Sequence, residues 1–384
     1  MGLRLSFFLL VTTLLALAGH VYLYRRLVRD TGSSQRWRRA GLLALGLVFT
    51  AMPFGRLLSR SVEGPLSAAL ASFGWAWMAV AVYLVLSLAA LGGLQRARAW
   101  LQRRRAPSPP APVSAERREF LAQVTAGSAV ALTAGFTGYG AYRAFSPPVV
   151  NEVQVRLRGL PRALDGLTLL QLSDIHVAPL VQRRFMDAVV QQCNGLRPDL
   201  VVVTGDLVDG SVRELAPHVA ALQNLRTRYG TYFCTGNHEY YSGDVAWAQA
   251  LERMGIGVLR NRHVTVGQEK DSLDLVGVDD WSQDYDLERA VAGRDPERAA
   301  VLLAHQPKGW QEAAAKGIGL QLSGHTHGGQ FFPFTLAVSA IWQYPAGLFH
   351  EGDSHLYVSR GTGFWGPPVR VGAPPEIVKV TLLA

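Results

Sequence analysis

The chain has 384 residues, too many for one small module. At 49% hydrophobic and 17% charged residues it is neither a mainly disordered protein nor an ordinary soluble one. Two cysteines, Cys193 and Cys234, exclude a disulfide scaffold and a cysteine-rich zinc module. The net charge of +9 is unevenly spread: residues 1–148 carry 17 arginines and four acids, residues 149–384 carry 21 basic and 25 acidic residues, and nucleic acid is therefore not the expected partner.

The first half is a series of apolar blocks punctuated by arginine. Blocks at about 3–24, 40–58, 66–94 and 120–145 predict an N-terminal bundle of about four transmembrane helices over 1–148. A bilayer crossing takes about 20 predominantly apolar residues, so the second block is marginal, and the fourth is the weakest. Gly127, Gly135, Gly138 and Gly140 in that fourth block suit close helix packing in lipid. A buried helical bundle in a soluble domain is the competing reading. Segment 25–39 holds six arginines and segment 95–118 seven, whereas the short loop 59–65 between them holds only Arg60. The positive-inside rule puts the two rich segments in the cytoplasm, and everything after Phe145 on the outer side. A Pro-rich linker, 106–113, precedes Arg117-Arg118-Glu119-Phe120-Leu121. That run reads either as an internal twin-arginine export signal or as two positive-inside arginines, and both give one topology.

From about Val149 the pattern changes. Short β-branched runs alternate with helical stretches, as in an α/β or layered αββα domain spanning 149–384. Strands are predicted at 168–172, 200–204, 231–234, 273–278, 300–304, 320–322, 356–358 and 377–382. Helices are predicted at 183–195, 212–228 and 244–254, with short ones at 288–291 and 309–316. Five strand ends deliver Asp, Asn or His, usually beside glycine. They are Asp174-Ile175-His176, Gly205-Asp206, Gly236-Asn237-His238-Glu239, His305, and Gly324-His325-Thr326-His327-Gly328-Gly329-Gln330. Ligands collect at the carboxyl ends of strands in layered α/β proteins, and glycine lets the backbone approach them. Singly, these motifs are ordinary turns. Their joint occurrence at successive strand ends is not.

These motifs resemble those of the calcineurin-like metallophosphoesterase superfamily, over about residues 150–384. The extended block through Gln330, and the tail Ser359-Arg360-Gly361-Thr362-Gly363 with Pro367-Pro368-Val369-Arg370, is similar to its membrane-anchored bacterial phosphodiesterase branch. The resemblance implies a four-layer αββα sandwich and a metal-dependent phosphoric ester hydrolase, acting on a phosphodiester or pyrophosphate. It implies two divalent ions, with Asp206 as the bridge. Asp174, His176 and His327 would complete one site, and Asn237, His305 and His325 the other. The branch implies a bacterial inner membrane, and with the apolar blocks and arginine placement the expectation is multi-pass residence there, an extracytoplasmic catalytic domain and the lipid bilayer as partner.

The chemistry wants these residue types. Phosphate esters repel nucleophiles, and paired cations about 3.5–4 Å apart neutralise the phosphate and acidify a bound water. Imidazole, carboxylate and amide oxygen together suit Mn²⁺, with Fe or Zn²⁺ as alternatives. The expected reaction is in-line attack by a metal-bridging hydroxide, with His238 protonating the leaving group as the catalytic residue. Asp209 and Glu239 are expected to orient neighbours. The aromatic, apolar segment 331–349, with Trp281, Trp310, Phe364 and Trp365, predicts either core packing or an apolar lip for a lipid-linked substrate. The alternatives are an enzyme similar to UDP-2,3-diacylglucosamine pyrophosphatases facing the cytoplasm, or a non-catalytic membrane scaffold. No Walker-type phosphate loop and no Rossmann fingerprint occurs.

Overall fold

A computed structural model describes residues 2–61, 64–105 and 114–384. The expected linker at 106–113, and positions 62 and 63 of the expected loop 59–65, lie outside the described residues. The chain divides into two compact units: Met1–Gly140 with Gly366–Pro368, and Ala141–Trp365 with Val369–Ala384.

The first unit is built from α1 (Gly2–Tyr24), α2 (Gln35–Ser61), α3 (Pro65–Arg105) and most of α4 (Ala115–Phe145). Leu23, Leu84, Leu88 and Ala129 form its small core. Large apolar side chains such as Leu14, Leu43, Leu47 and Phe73 point outward. Polar groups turn inward instead: buried His20 accepts a hydrogen bond from Trp77 Nε1 at 3.0 Å, and Gln95 donates to Thr125 at 2.7 Å. Apolar outside and polar inside is the arrangement an apolar solvent selects. Among the described residues, two helical segments, Leu66–Arg104 and Ala115–Phe145, are long and apolar enough to cross a membrane. Helix α3 runs past the expected end near residue 94, through to Arg105. Gln95–Arg105 is all good helix formers with no glycine or proline, so the helix continues into its basic flank.

The second unit takes, in chain order, β1 (Val149–Arg156), β2 (Thr168–Leu172), α5 (Arg183–Gly195), β3 (Leu200–Thr204), α6 (Val212–Val219) and β4 (Thr231–Cys234). Then follow α7 (Asn237–Ser242), α8 (Asp244–Arg253), β5 (Gly257–Val258), β6 (Arg262–Gln268), β7 (Asp271–Gly277), α9 (Leu287–Val291) and β8 (Ala300–Leu303). The last elements are α10 (Trp310–Ala315), β9 (Leu320–Ser323), α11 (Phe334–Ile341), β10 (Gly347–Glu351), β11 (Ser354–Val358) and β12 (Glu376–Leu383). Two mixed six-stranded sheets result, ordered β1-β12-β2-β3-β4-β5 and β10-β11-β9-β8-β7-β6.

Each sheet's central strands are parallel, with Leu169 opposite Leu200 and Val301 opposite Leu320. Strands covered on both faces read as continuous apolar runs, and Leu200–Thr204 is wholly buried. One face of each sheet meets the other: Leu169, Val202 and Val380 pack with Leu275, Leu303 and Leu322. The outer face of the first sheet, through Leu170, Val201 and Phe233, takes Val189 of α5 and Trp247 of α8. The outer face of the second, through Val276 and Leu302, takes Ala290 of α9 and Ala313 of α10. The packing order is therefore helix, sheet, sheet, helix.

Four strands and two helices escape the sequence pattern. Strands β1 and β6 alternate polar residues at sheet edges, and β5 has only two residues. The helix expected over 212–228 is shorter: α6 carries Pro217 in its last turn, and a 3₁₀ segment, Ala220–Asn224, follows. Cys193 and Cys234 are free and buried, in separate apolar clusters on opposite faces of the first sheet.

Candidate metal centre

The strand ends deliver the side chains by bending sharply. Asp174, His176, Asp206, His325 and His327 all lie at positive φ, between 51° and 71°. Non-glycine residues avoid that region, at a cost of about 1–3 kcal/mol each, and such strain concentrates where function over-determines the geometry. Gly205 makes a close backbone approach: a Cβ there would lie 2.5 Å from the Gly236 nitrogen and 2.9 Å from His305 Nδ1. The Gly236-Asn237-His238-Glu239 motif is not a plain loop as the sequence suggests. Asn237 opens α7, Gly236 is its N-cap, and Glu239 folds back onto the Gly236 amide at 2.6 Å.

Three groups of ligand-type atoms converge. Asp174, His176 and His327 form one, Asp206, His305 and His325 another, and His176, Asp206 and His238 a third between them. In the first, His327 Nε2 lies 3.3 Å from Asp174 Oδ1 and 3.1 Å from His176 Nε2. In the second, His305 Nε2 lies 3.1 Å from Asp206 Oδ2 and 3.2 Å from His325 Nδ1. Asp206 Oδ2 also stands 3.8 Å from His176 Nε2 and 3.9 Å from His238 Nε2. Asp206 is thus shared by the second and third groups. Asn237 Oδ1 is buried with no hydrogen-bond partner.

The donor set fits divalent ions. The His305 Nδ1–H donates to the Thr204 carbonyl at 2.8 Å, which leaves Nε2 as a lone pair aimed at Asp206 Oδ2 and His325 Nδ1. Converging acceptors of this kind repel one another unless positive charge lies among them. Protonation responds in that sense: burial opposes a charged His305, yet the adjacent Asp206 raises its pKa to about 10. Burial and the charges of His305 and Lys308 push His325 down to about 3. His327 is likewise held unprotonated by burial and by the Arg370 guanidinium. The Asn237 amide oxygen, next in sequence to His238, is a further hard donor left without a hydrogen-bond partner.

Around these groups stands a ring of orienting contacts. Asp209 Oδ1 accepts from His176 Nδ1 at 3.1 Å and from His238 Nδ1 at 2.5 Å. Burial works against ionised Asp209, but the two imidazoles hold its carboxyl well below the usual range. His238 shows the reciprocal effect. Burial disfavours its charge, yet Asp206 and Asp209 raise it to about 9. Glu239 accepts from the amides of Asp206 and Leu207 at 3.0 and 2.8 Å, fixing the strand end after β3. Burial, then Asp206, raises its carboxyl to about 7.

Two residues carry roles that their motifs alone do not reveal. Arg370 is buried; its NH2 group lies 3.1 Å from His327 Nδ1, and it donates to the carbonyls of Gly363, Arg360 and His327. Burial lowers its pKa to about 10. Gln330 clamps the Trp365 backbone: its Nε2 donates to the Trp365 carbonyl and its Oε1 accepts from the Trp365 amide, both at 2.9 Å. Trp365 thereby stands 5.7 Å from the His238 ring. Tail residues 360–370 show no period or charge pattern in sequence, so only folding brings them to the site.

The profile of the calcineurin-like phosphoesterase family matches residues 167–329. A Danio rerio protein named transmembrane protein with metallophosphoesterase domain is 34% identical, over 99% of this chain and 89% of its own length. A Bos taurus protein of the same name is 39% identical over 67% of this chain and 62% of its own length. An uncharacterized metallophosphoesterase of Bacillus subtilis is 30% identical, over 69% of this chain and 97% of its own length. The chain belongs to the calcineurin-like phosphoesterase family and is a metal-dependent phosphoester hydrolase.

Proposed function

We propose that the protein is a membrane-anchored, two-metal phosphoesterase that hydrolyses a phosphodiester or pyrophosphate, with a lipid-linked ester as its substrate. The observation that carries this reading is the convergence of two ligand groups linked through a third that shares His176 and Asp206. Asp174, His176, Asp206 and His327 would hold one divalent ion, and Asp206, Asn237, His305 and His325 the other, with Mn²⁺ as the favoured metal. When bound, the ions neutralise phosphate charge and activate water for attack on phosphorus.

The chain's own residues supply orientation and a proton. Asp209 holds His238 by Nδ1, so Nε2 faces the centre, where it donates a proton to the departing oxygen. A pKa raised to about 9 keeps that proton in place at neutral pH. Asp209 orients His176 by the same oxygen, and the Arg370 guanidinium lies against His327 Nδ1.

The apolar reading of the substrate draws support from α11, which begins four residues after Gln330. It is a Phe-Thr-Leu-Ala-Val-Ser-Ala-Ile helix with no buried residue, and Leu336 and Ile341 are 63% and 78% exposed. Residues 1–148 are proposed as the transmembrane region and 149–384 as the catalytic domain, on the extracytoplasmic side of a bacterial inner membrane. Whether Arg117-Arg118 serves export or simply flanks a helix leaves this topology unchanged. Full-length protein in detergent should hydrolyse bis-p-nitrophenyl phosphate, lose activity on chelation and regain it with Mn²⁺. Activity that survives exhaustive chelation contradicts the proposal.

A further inference from the structure

The loop leaving β8 carries His305 and, three residues later, Lys308. The Lys308 ammonium lies 5.4 Å from the ring centroid of Trp342 and 6.0 Å from that of Trp281. Trp342 in turn meets the His325 ring edge-on at 5.3 Å. One indole thus separates this cation from an imidazole of the group formed by Asp206, His305 and His325. Among the described residues the lysine ion pairs are Lys316 with Glu288 and Lys379 with Glu152, and no carboxylate pairs with Lys308. An ammonium set against two aromatic rings loses part of its hydration, which suits it to bind an anion.

The loop is shaped for this placement. Gly309 lies at a φ of +68°, and a Cβ there would come within 2.8 Å of Tyr285 Oη and 2.9 Å of Trp281 Cζ3. Trp281 and Tyr285 pack at 4.7 Å, so the bare glycine backbone lets this aromatic pair close against the lysine loop. Trp281 is 39% exposed and Lys308 is half-buried, so the pair reaches solvent.

We infer that Lys308, between Trp281 and Trp342, binds a second anionic group of the substrate, so that the enzyme prefers diphosphate-bridged esters to simple phosphodiesters. The inference rests on the hydrolase reading and narrows it. A simple diester brings one negative charge, which sits at the reacting phosphorus. A diphosphate diester brings a second, one bridging oxygen away. Water adds to one phosphorus, the bond to the bridging oxygen breaks, and that oxygen leaves on the second phosphate with its electron pair and takes a proton. Two phosphomonoesters result. Lys308 offsets the charge that grows on the departing phosphate.

The test compares UDP-glucose with bis-p-nitrophenyl phosphate, using full-length Mn²⁺-loaded protein in detergent with metal content measured alongside. In Lys308→Met the ratio of kcat/KM for UDP-glucose to that for bis-p-nitrophenyl phosphate should fall at least about tenfold, the scale of a lost charged hydrogen bond. Lys308→Arg should recover most of the ratio. An unchanged ratio in Lys308→Met overturns the inference, as does a wild type that turns over bis-p-nitrophenyl phosphate but no diphosphate ester. A wild type that binds metal and cleaves neither defeats the hydrolase reading itself, a separate failure.

Discussion

Asp206 and His238 stand 3.9 Å apart at the centre of the site, yet they answer to different demands. Asp206 Oδ2 faces three imidazoles from three strand ends, so Asp206→Ala should lose bound metal, measured by elemental analysis of the purified protein. His238→Ala should keep metal and lose turnover by about 10²–10⁴-fold, the usual worth of a positioned proton donor. Wild-type turnover in that variant removes His238 from the mechanism. Protonated His238 is the working form, so kcat/KM should fall as pH rises past its pKa. That value is about 9 before ion binding, and nearby cations lower it further. Asp209→Asn removes an anion that stabilises the imidazolium, so the alkaline limb should move to lower pH, by about one unit. A limb that stays in place, or moves up, contradicts the assignment. At this scale the sequence was legible in placement: the Asp and His residues named from the five motifs fall within the three converging groups of ligand-type atoms. Arg370 was visible as part of a tail motif, but its contact with His327 spans 43 positions and leaves no local trace.

Elements explain why those side chains converge. The central strands β2, β3, β4, β8 and β9 are mostly apolar and buried, and all but β8 run within two residues into a glycine or a residue at positive φ, so composition marks their course and most of their ends. Gly205→Ala tests that construction. A methyl group would press on the Gly236 backbone from a strained φ, and stability should drop by at least about 2 kcal/mol, seen as a lowered Tm in detergent. Edge strands escaped the sequence reading because their polar alternation is shared with loops, and α7 escaped because its six residues are also the metal motif. Helix α11 was seen only as an aromatic stretch; folding leaves it uncovered. If its apolar face meets the acyl part of a substrate, Leu336→Ser with Ile341→Ser should cut hydrolysis of a lipid-linked phosphate in mixed micelles several-fold relative to bis-p-nitrophenyl phosphate. An unchanged ratio places that face outside substrate binding.

The whole molecule joins an apolar helical unit, with polar groups inside and leucine outside, to a layered hydrolase whose ligands come from loops over 150 positions apart. The excess of arginine in 25–39 and 95–118 predicts where the hydrolase faces. A phosphatase reporter that matures only outside the cytoplasm, fused after Ala384, should be active; a silent reporter, with a cytoplasm-dependent one active, reverses the topology. The most direct measurement of the central claim is metal stoichiometry. Purified protein reconstituted with Mn²⁺ should hold about two ions per chain, and Asp206→Ala should lose both along with phosphodiester hydrolysis. A wild-type chain that retains no ion under the same conditions, or an Asp206→Ala chain that keeps both, contradicts the account.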